Sequence, residues 1–156
     1  MVKFAIVQIR GVIRTPQKIK DTLTMLKLVK RNSCVVVDVN SSFNGMVEFV
    51  KDYVTWGEID ESTLLELIIK RGRIMGNKPL TEEYLKEKSG LTIHAFVKEL
   101  LVGKKKIKDV PGMKPFFRLK PPTKGYERGG VKVPFSMGGA LGYRKDHINN
   151  LIKRML

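Results

Sequence analysis

The residues of this chain that could take part in chemistry are lysines and arginines, and they are concentrated in its last third. Positions 104–156 hold fourteen basic residues against three acidic ones, whereas 59–103 holds seven of each and 1–58 holds nine against five. A local excess of this size attracts a polyanion at close range. A surface that only keeps a small domain soluble needs a net charge of about 2 to 8, and this chain carries +15. The distribution therefore favours nucleic acid as the partner.

The densest basic cluster lies between 104 and 132, where ten basic residues face only Asp109 and Glu127. Such side chains bind RNA by neutralising its phosphates. Phe116 alternates with basic residues, so it is a candidate for stacking on an unpaired base. Glycines at 129, 130, 138 and 139 would let the backbone approach phosphates, although ordinary turn chemistry explains them as well. The RNA-contacting residues predicted here are Lys104, Lys105, Lys106, Lys114, Phe116, Arg118, Lys120, Lys124, Arg128, Lys132, Arg144 and Lys145.

A second candidate pair, Arg10 and Arg14, flanks the turn that follows the first apolar run. The planar fork of an arginine can hold a phosphate through two parallel hydrogen bonds, which suits an RNA backbone. The alternative for either residue is an ordinary solvated turn.

Nothing in the sequence indicates catalysis. It has no Walker loop, no G-x-G-x-x-G, no H-E-x-x-H and no glycine-flanked serine of the hydrolase type. His94 and His147 have neither metal-ligand spacing nor an acid–thiol arrangement around them, so we predict surface histidines. Cys34 is the only cysteine, which excludes an intrachain disulfide and a cysteine-based zinc site. We therefore expect no catalytic residue, no metal, no cofactor and no small-molecule substrate.

The hydropathy pattern also bears on location. No apolar run approaches the ~20 residues that cross a membrane, and the run FAIVQI is too short for a signal sequence. Cys34 lies in SCVVVDV, which is typical of a buried thiol. We expect no membrane partner and a reducing cytosol.

The first 58 residues alternate strand and helix patterns. Phe4 to Ile9 and the β-branched run 33–39 predict strands, and Tyr53 to Ile59 predicts a third. Thr15 followed by Pro16 predicts the start of a helix that ends at Asn32, and Ser41 or Ser42 predicts the cap of a short second helix. The order β-α-β-α-β indicates an α+β fold in which two helices cover one face of a small sheet.

The remainder reads as helices followed by loops. Caps at Asp60, Thr81 and Thr92 predict helices within 60–103 that end at Gly72, Gly90 and Gly103. The first of these helices should carry Leu64, Leu65, Ile68 and Ile69 on its apolar face. A basic, Gly- and Pro-rich loop region follows over 104–142, and we expect 113–142 to be mobile until RNA binds.

Two ordered pieces are predicted in or after that region. PFFRLKPP reads as an edge strand because its prolines forbid a central position, with Phe117 and Leu119 inward and Phe116, Arg118 and Lys120 outward. A C-terminal helix over 144–155 should place Ile148, Leu151, Ile152 and Met155 against the core.

Several stretches are specific, above all DYVTWGEI followed by KRGRIMGNKPLT. Together with FAIVQIRGVIRTP, TLTMLKLVKRN, NGM, FFRLKPP and GGALGYRKDHINNLIKRML, they show that the whole chain resembles the archaeal form of one large-subunit ribosomal protein family. That family is numbered thirty in bacteria and archaea and seven in eukaryotes. One departure is KPPTKGYERGG, where similar proteins often run from FRL through PPRGG directly; it contains Lys124, Tyr126 and Arg128.

The resemblance implies a β-α-β-α-β core over 1–58, with some similarity to ferredoxin-like folds and a central first strand. Bacterial members look like this core alone, so 59–156 corresponds to the archaeal and eukaryotic extension. It also implies large-subunit rRNA near 5S RNA and neighbouring large-subunit proteins as partners, in the cytoplasm. The basic positions of the family pattern correspond here to Arg10, Arg14, Lys18, Lys27, Lys30 and Arg31.

The sequence thus predicts a non-enzymatic constituent of the large ribosomal subunit, which binds rRNA phosphates and reads RNA shape more than base sequence. A free-standing nucleic-acid chaperone or DNA-compacting protein is the alternative that charge alone would allow. An RNA-recognition-motif module fits less well, since FAIVQI and CVVVDV lack the exposed aromatic set of such sheets. An RNA-modifying enzyme with unfamiliar motifs is the rival from another class.

Overall fold

A five-stranded sheet lies at the centre of the computed structural model, which describes residues 3–156. The strands are β1 (Lys3–Gln8), β2 (Ser33–Asp38), β3 (Val54–Glu58), β4 (Phe117–Arg118) and β5 (Gly142–Tyr143), in the spatial order β4-β2-β1-β3-β5. Both β2 and β3 run antiparallel to β1, β4 is antiparallel to β2, and β5 is parallel to β3. The predicted α+β fold and the central position of the first strand are confirmed.

Six α-helices lie in the described range and cover both faces of this sheet. They are α1 (Gln17–Met25), α2 (Ser41–Phe49), α3 (Glu61–Arg71), α4 (Glu82–Ser89), α5 (Ile93–Val102) and α6 (His147–Met155). Because successive strand residues point to opposite faces, Ala5 and Val7 enter the core beneath α3, α5 and α6, while Ile6 enters the core beneath α1 and α2. This two-sided burial is why the first strand is apolar at almost every position.

The first face carries α1 and α2, as predicted, but their ends differ from the prediction. Thr15 is buried and does not cap α1; Pro16 occupies the N-cap and the helix begins at Gln17. The helix ends at Met25 instead of continuing to Asn32, because Lys27 adopts a left-handed φ of 63°. The bonds from Leu28 N to Leu23 O and from Lys27 N to Thr24 O complete a Schellman motif, with lysine where glycine is usual.

On α2, Asn40 occupies the N-cap, and neither Ser41 nor Ser42 does, so that prediction was wrong by one residue. The side chain of Asn40 makes no cap hydrogen bond. The apolar face was predicted correctly, since Val47 and Val50 are buried and Phe43 and Met46 pack against the same core.

The second face is built by the helices of the extension. The predicted caps of α4 and α5 are confirmed, because the hydroxyls of Thr81 and Thr92 accept from the amides of Tyr84 and Ala95. Asp60 occupies the N-cap of α3 but its side chain makes no cap hydrogen bond. On α3 the predicted apolar position Ile69 is 50% exposed, and Leu67 is buried in its place.

The basic segment 104–142 contains little regular structure but packs against the core. Its pieces are 3₁₀ turns at Ile107–Asp109 and Phe135–Met137 and the edge strand β4. Phe117 in β4 and Leu119 just after it are buried, as predicted. Backbone bonds from Lys120 N to Met155 O and from Thr123 N to Arg154 O tie it to the C-terminal helix. The expected mobility of 113–142 stays a prediction.

The C-terminal helix has the predicted buried stripe of Ile148, Leu151, Ile152 and Met155. It begins at His147 instead of 144, because 142–143 pair with β3 as β5. Gly57 on β3 permits this arrangement, since a Cβ there would lie 2.0 Å from the carbonyl oxygen of Lys145.

Candidate nucleic-acid interface

The described part of the chain offers little chemistry other than its cations. No helix in it is long and apolar enough to cross a membrane. Across residues 3–156, no group of three or more His, Cys, Asp or Glu side chains is placed to hold a metal ion. Burial raises the pKa of the Cys34 thiol to about 12, so the reactive thiolate does not form at neutral pH. The site residues that the sequence predicts are, apart from Phe116, lysines and arginines.

The N-terminal group of predicted residues lies on α1 and on the loops before and after it. Arg10 is half-buried and oriented by the core, because its Nη1 donates to the carbonyl oxygen of Asp52 at 3.1 Å and its Cζ lies 5.0 Å from the centre of the Tyr53 ring. The other members are exposed, and Arg14 and Lys27 have left-handed φ values. These exposed members are Arg14, Lys18, Lys27, Lys30 and Arg31.

Most of the predicted C-terminal group is also exposed. The exposed members are Lys104, Lys106, Arg118, Lys120, Lys124, Arg128, Lys132 and Lys145. Lys105 is half-buried and pairs with Glu99 at 3.4 Å, which leaves it less free to bind a phosphate. Tyr126, in the unusual stretch after β4, packs against the core and donates to Asn32 Oδ1 at 3.0 Å.

Arg144 was predicted to bind RNA, and the structure contradicts this. Its side chain is 1% exposed, and its guanidinium is held by a carboxylate at Glu127, the hydroxyl of Thr55 and the carbonyl oxygen of Ala140. The guanidinium also lies over the Phe135 ring, with Cζ 4.7 Å from its centre. This buried arginine, each of whose three guanidinium nitrogens has a protein acceptor, joins the basic segment to β3 and is not available to RNA.

Three predicted residues meet two unpredicted arginines in a groove of about 420 Å³ that we call the cationic groove. Arg71 comes from the end of α3, Arg73 from the loop after it, and Lys114 from the approach to β4. Its lining is Arg71, Arg73, Asn77, Lys114, Phe116 and Arg118. Four cations and no carboxylate side chain line this groove.

Arg71 is incompletely bonded by the protein. Its Nη2 donates to the backbone oxygen of Leu156, whereas its buried Nε has no acceptor among residues 3–156. Lys114 Nζ donates to Asn77 Oδ1 at 3.3 Å, a neutral partner that leaves the charge uncompensated. Phe116, expected to be fully outward, is half-buried against the core beneath α1 and α2 and presents only part of its ring.

Sequence reasoning missed Arg71 and Arg73. Both lie in the stretch 59–103, whose zero net charge conceals local excesses. The signal was the local run KRGR, which carries three cations in four residues without an acid.

A second groove of about 320 Å³ is mainly apolar and runs beside β2. It is lined by the valines of that strand with Leu26 and Phe43, and lysines are also among its lining residues. Two of these, Lys27 and Lys106, are far apart in the sequence and were both predicted to bind RNA.

An α+β core surrounded by loops that carry exposed cations without carboxylate partners is typical of the small basic proteins that bind RNA.

The family model described as Ribosomal protein L30p/L7e matches residues 4–54. The large ribosomal subunit protein uL30 of Methanococcus vannielii is 51% identical over 153 residues, covering 98% of this chain and 99% of that protein. The proteins of the same name from Nanoarchaeum equitans and Archaeoglobus fulgidus are each 47% identical, over 100% and 97% of this chain and 100% and 99% of their own lengths. The chain therefore belongs to the L30p/L7e family of ribosomal proteins, in its archaeal form, which confirms the resemblance seen in the sequence.

Proposed function

We propose that this protein is a structural constituent of the large ribosomal subunit, in the cytoplasm, and that it binds rRNA through the phosphate backbone. Relatives of nearly the same length that bear the name of a large-subunit protein support the assembly. The proposed partners are large-subunit rRNA, in the neighbourhood of 5S RNA, and adjacent large-subunit proteins. We also propose 1–58 as the ribosomal core and 59–156 as an extension that adds RNA-binding surface.

The observation that carries this proposal is the number of exposed cations without a carboxylate partner in the basic segment. Lys104, Lys106, Lys120 and Lys132 are exposed and make no ion pair within the described chain. Exposed pairs contribute little to folding, so the same charges are more useful in releasing counterions from an RNA backbone. Of these four residues, Lys120 is tied to α6 by the bond from its backbone amide to the carbonyl oxygen of Met155.

The first experiment separates a ribosomal constituent from a free-standing chaperone or enzyme. The tagged protein should sediment with the large subunit after a high-salt wash of a cell extract. The purified protein should bind large-subunit rRNA more tightly than duplex DNA of equal phosphate content at the same salt concentration. A free pool after the wash, together with equal affinity for both nucleic acids, would support the chaperone or DNA-compacting alternative instead.

A second experiment asks which basic group supplies the affinity. Neutralising Lys104, Lys106, Lys120 and Lys132 to Gln should flatten the plot of log affinity against log salt by roughly 0.7 to 0.9 units for each phosphate that is no longer neutralised. The comparison variant is Arg10→Gln/Arg14→Gln. If only this double variant lowers the slope, the N-terminal surface anchors the protein and the segment merely fills space between RNA helices.

A further inference from the structure

We propose that the cationic groove binds one unpaired nucleotide of rRNA, with its phosphate among the arginines and its base against Phe116. This inference rests on the proposed function, because it names the atoms with which the extension would hold RNA. The groove lies outside the matched family region 4–54, so it would add a binding site that the core alone does not have.

The charges of the groove point to a phosphate. Arginine forks bind phosphate oxygens through paired hydrogen bonds, and Arg71, Arg73 and Arg118 supply three such forks beside Lys114. No carboxylate side chain lines the groove, and nothing in residues 3–156 accepts the hydrogen of Arg71 Nε. A phosphate would bring an acceptor for that hydrogen and the negative charge that no side chain of the groove supplies.

The shape of the groove points to a nucleotide instead of a free anion. Its volume of about 420 Å³ falls within the range of small-molecule sites, which is more room than one phosphate needs. Phe116 forms part of the lining while the rest of its ring packs against the core, so the ring is held in place. RNA-binding proteins read unpaired bases by stacking on such rings.

Backbone hydrogen bonds join the two chain segments that form the groove, 71–77 and 114–118, and they favour order at 114–118 within the segment predicted to be mobile without RNA. The amide of Lys114 donates to the carbonyl oxygen of Arg73 at 2.9 Å, and that of Met75 donates to the carbonyl oxygen of Gly112 at 2.9 Å. Arg118 lies on β4, which pairs with β2. Binding to a site formed in advance avoids the entropy cost of ordering a loop.

The charge part of the proposal is tested with Arg73→Gln/Lys114→Gln/Arg118→Gln against a matched control, Lys86→Gln/Lys98→Gln/Lys153→Gln. Both variants remove three charges, but the control residues lie on α4, α5 and α6, outside the groove. With large-subunit rRNA, the groove variant should lower the salt slope by about 0.7 units, because the one phosphate held in the groove is no longer neutralised. Its loss of affinity between 50 and 200 mM salt should then be roughly threefold smaller than that of the wild type. Urea midpoints of both variants establish that they fold.

The base part is tested with Phe116→Leu, which keeps an apolar side chain and removes the ring. Affinity for a fluorescein-labelled oligouridine of twelve nucleotides should fall at least about fivefold. Affinity for an abasic ribose-phosphate oligomer of the same length should not change. A matching NMR titration with inorganic phosphate should move the Arg71 and Arg73 Nε–H signals.

The outcomes separate the two proposals. Equal slopes in the groove and control variants, with wild-type protein still bound to rRNA, would overturn the groove assignment and leave the proposed function intact. If Phe116→Leu loses as much affinity for the abasic oligomer as for oligouridine, the stacking of a base on the ring is overturned. If polyglutamate displaces oligouridine and Phe116→Leu has no effect on binding, the groove binds an acidic peptide instead. Wild-type protein that does not hold large-subunit rRNA would overturn the proposed function itself.

Discussion

The site around Arg144 and the cationic groove both use arginines where the extension meets the core, yet they differ in one component. At Arg144 the carboxylate of Glu127 supplies a counter-charge, with Nη1 to Oε1 at 2.8 Å. In the groove, four cations converge without any carboxylate side chain. The difference teaches that a buried arginine does not by itself indicate a binding site. A group of cations whose counter-charge is missing is the better indicator.

The largest effect that this comparison predicts is the loss of stability when the internal counter-charge is removed. Glu127→Gln would leave the 1% exposed Arg144 without a compensating charge. Breaking a buried pair costs about 3–5 kcal/mol. Because Glu127 is partly exposed, we expect the lower end, about 3 kcal/mol, measured as the free energy of unfolding in urea.

Glu66→Gln is the control, because it removes the exposed i,i+4 pair with Lys70 and should cost no more than about 0.5 kcal/mol. Equal costs for the two variants would show that Arg144 does not depend on its carboxylate. The distinction between the two sites would then fail.

The ion pair of Glu127 with Arg144 also predicts a dependence of stability on pH. Burial raises the pKa of Glu127, but the hydrogen bond from Arg144, a backbone hydrogen bond and the charges of Arg144 and Arg154 together outweigh it, so the net shift is downward. A carboxyl whose pKa is lower in the folded state contributes stability above its unfolded pKa, and this contribution disappears as pH falls through the folded pKa. As pH falls from above the unfolded pKa to below the folded one, the melting temperature of the wild type should therefore drop further than that of Glu127→Gln. Parallel curves for the two proteins would contradict the assignment.

Local patterns in the sequence sufficed for the elements whose signals are short-range. The stripe of Ile148, Leu151, Ile152 and Met155, the caps at Thr81 and Thr92 and the edge position of β4 were all predicted correctly, because each depends on a few neighbouring residues. The end of α1 was not, because its Schellman motif places a lysine where glycine normally marks the stop.

The candidate site was harder to predict because it depends on residues that are distant in the sequence. Arg144 was assigned to RNA from its charge alone, and only the folded chain places Glu127 and Thr55 beside it. Arg71 and Arg73 were missed for the converse reason. They lie in a stretch of zero net charge, and the fold separates them from its acids and brings them to Lys114 and Arg118.

The smallest expected effect comes from giving the cationic groove a carboxylate, so that it resembles the site around Arg144. In Asn77→Asp one amide becomes a carboxylate at the position where Asn77 Oδ1 already accepts from Lys114 at 3.3 Å. Aspartate tolerates the left-handed φ of 62° at this turn nearly as well as asparagine. Because the new ion pair is exposed, the free energy of unfolding should stay within about 0.5 kcal/mol of the wild type. The internal charge should nevertheless compete with the phosphate held in the groove for Lys114 and one neighbouring arginine, lowering the rRNA salt slope by up to roughly 0.7 units. The matched change Asn150→Asp, on the exposed side of α6, adds the same charge outside the groove and should leave the slope near the wild-type value. If both substitutions weaken rRNA binding equally, net charge governs affinity and the missing counter-charge of the groove has no special role.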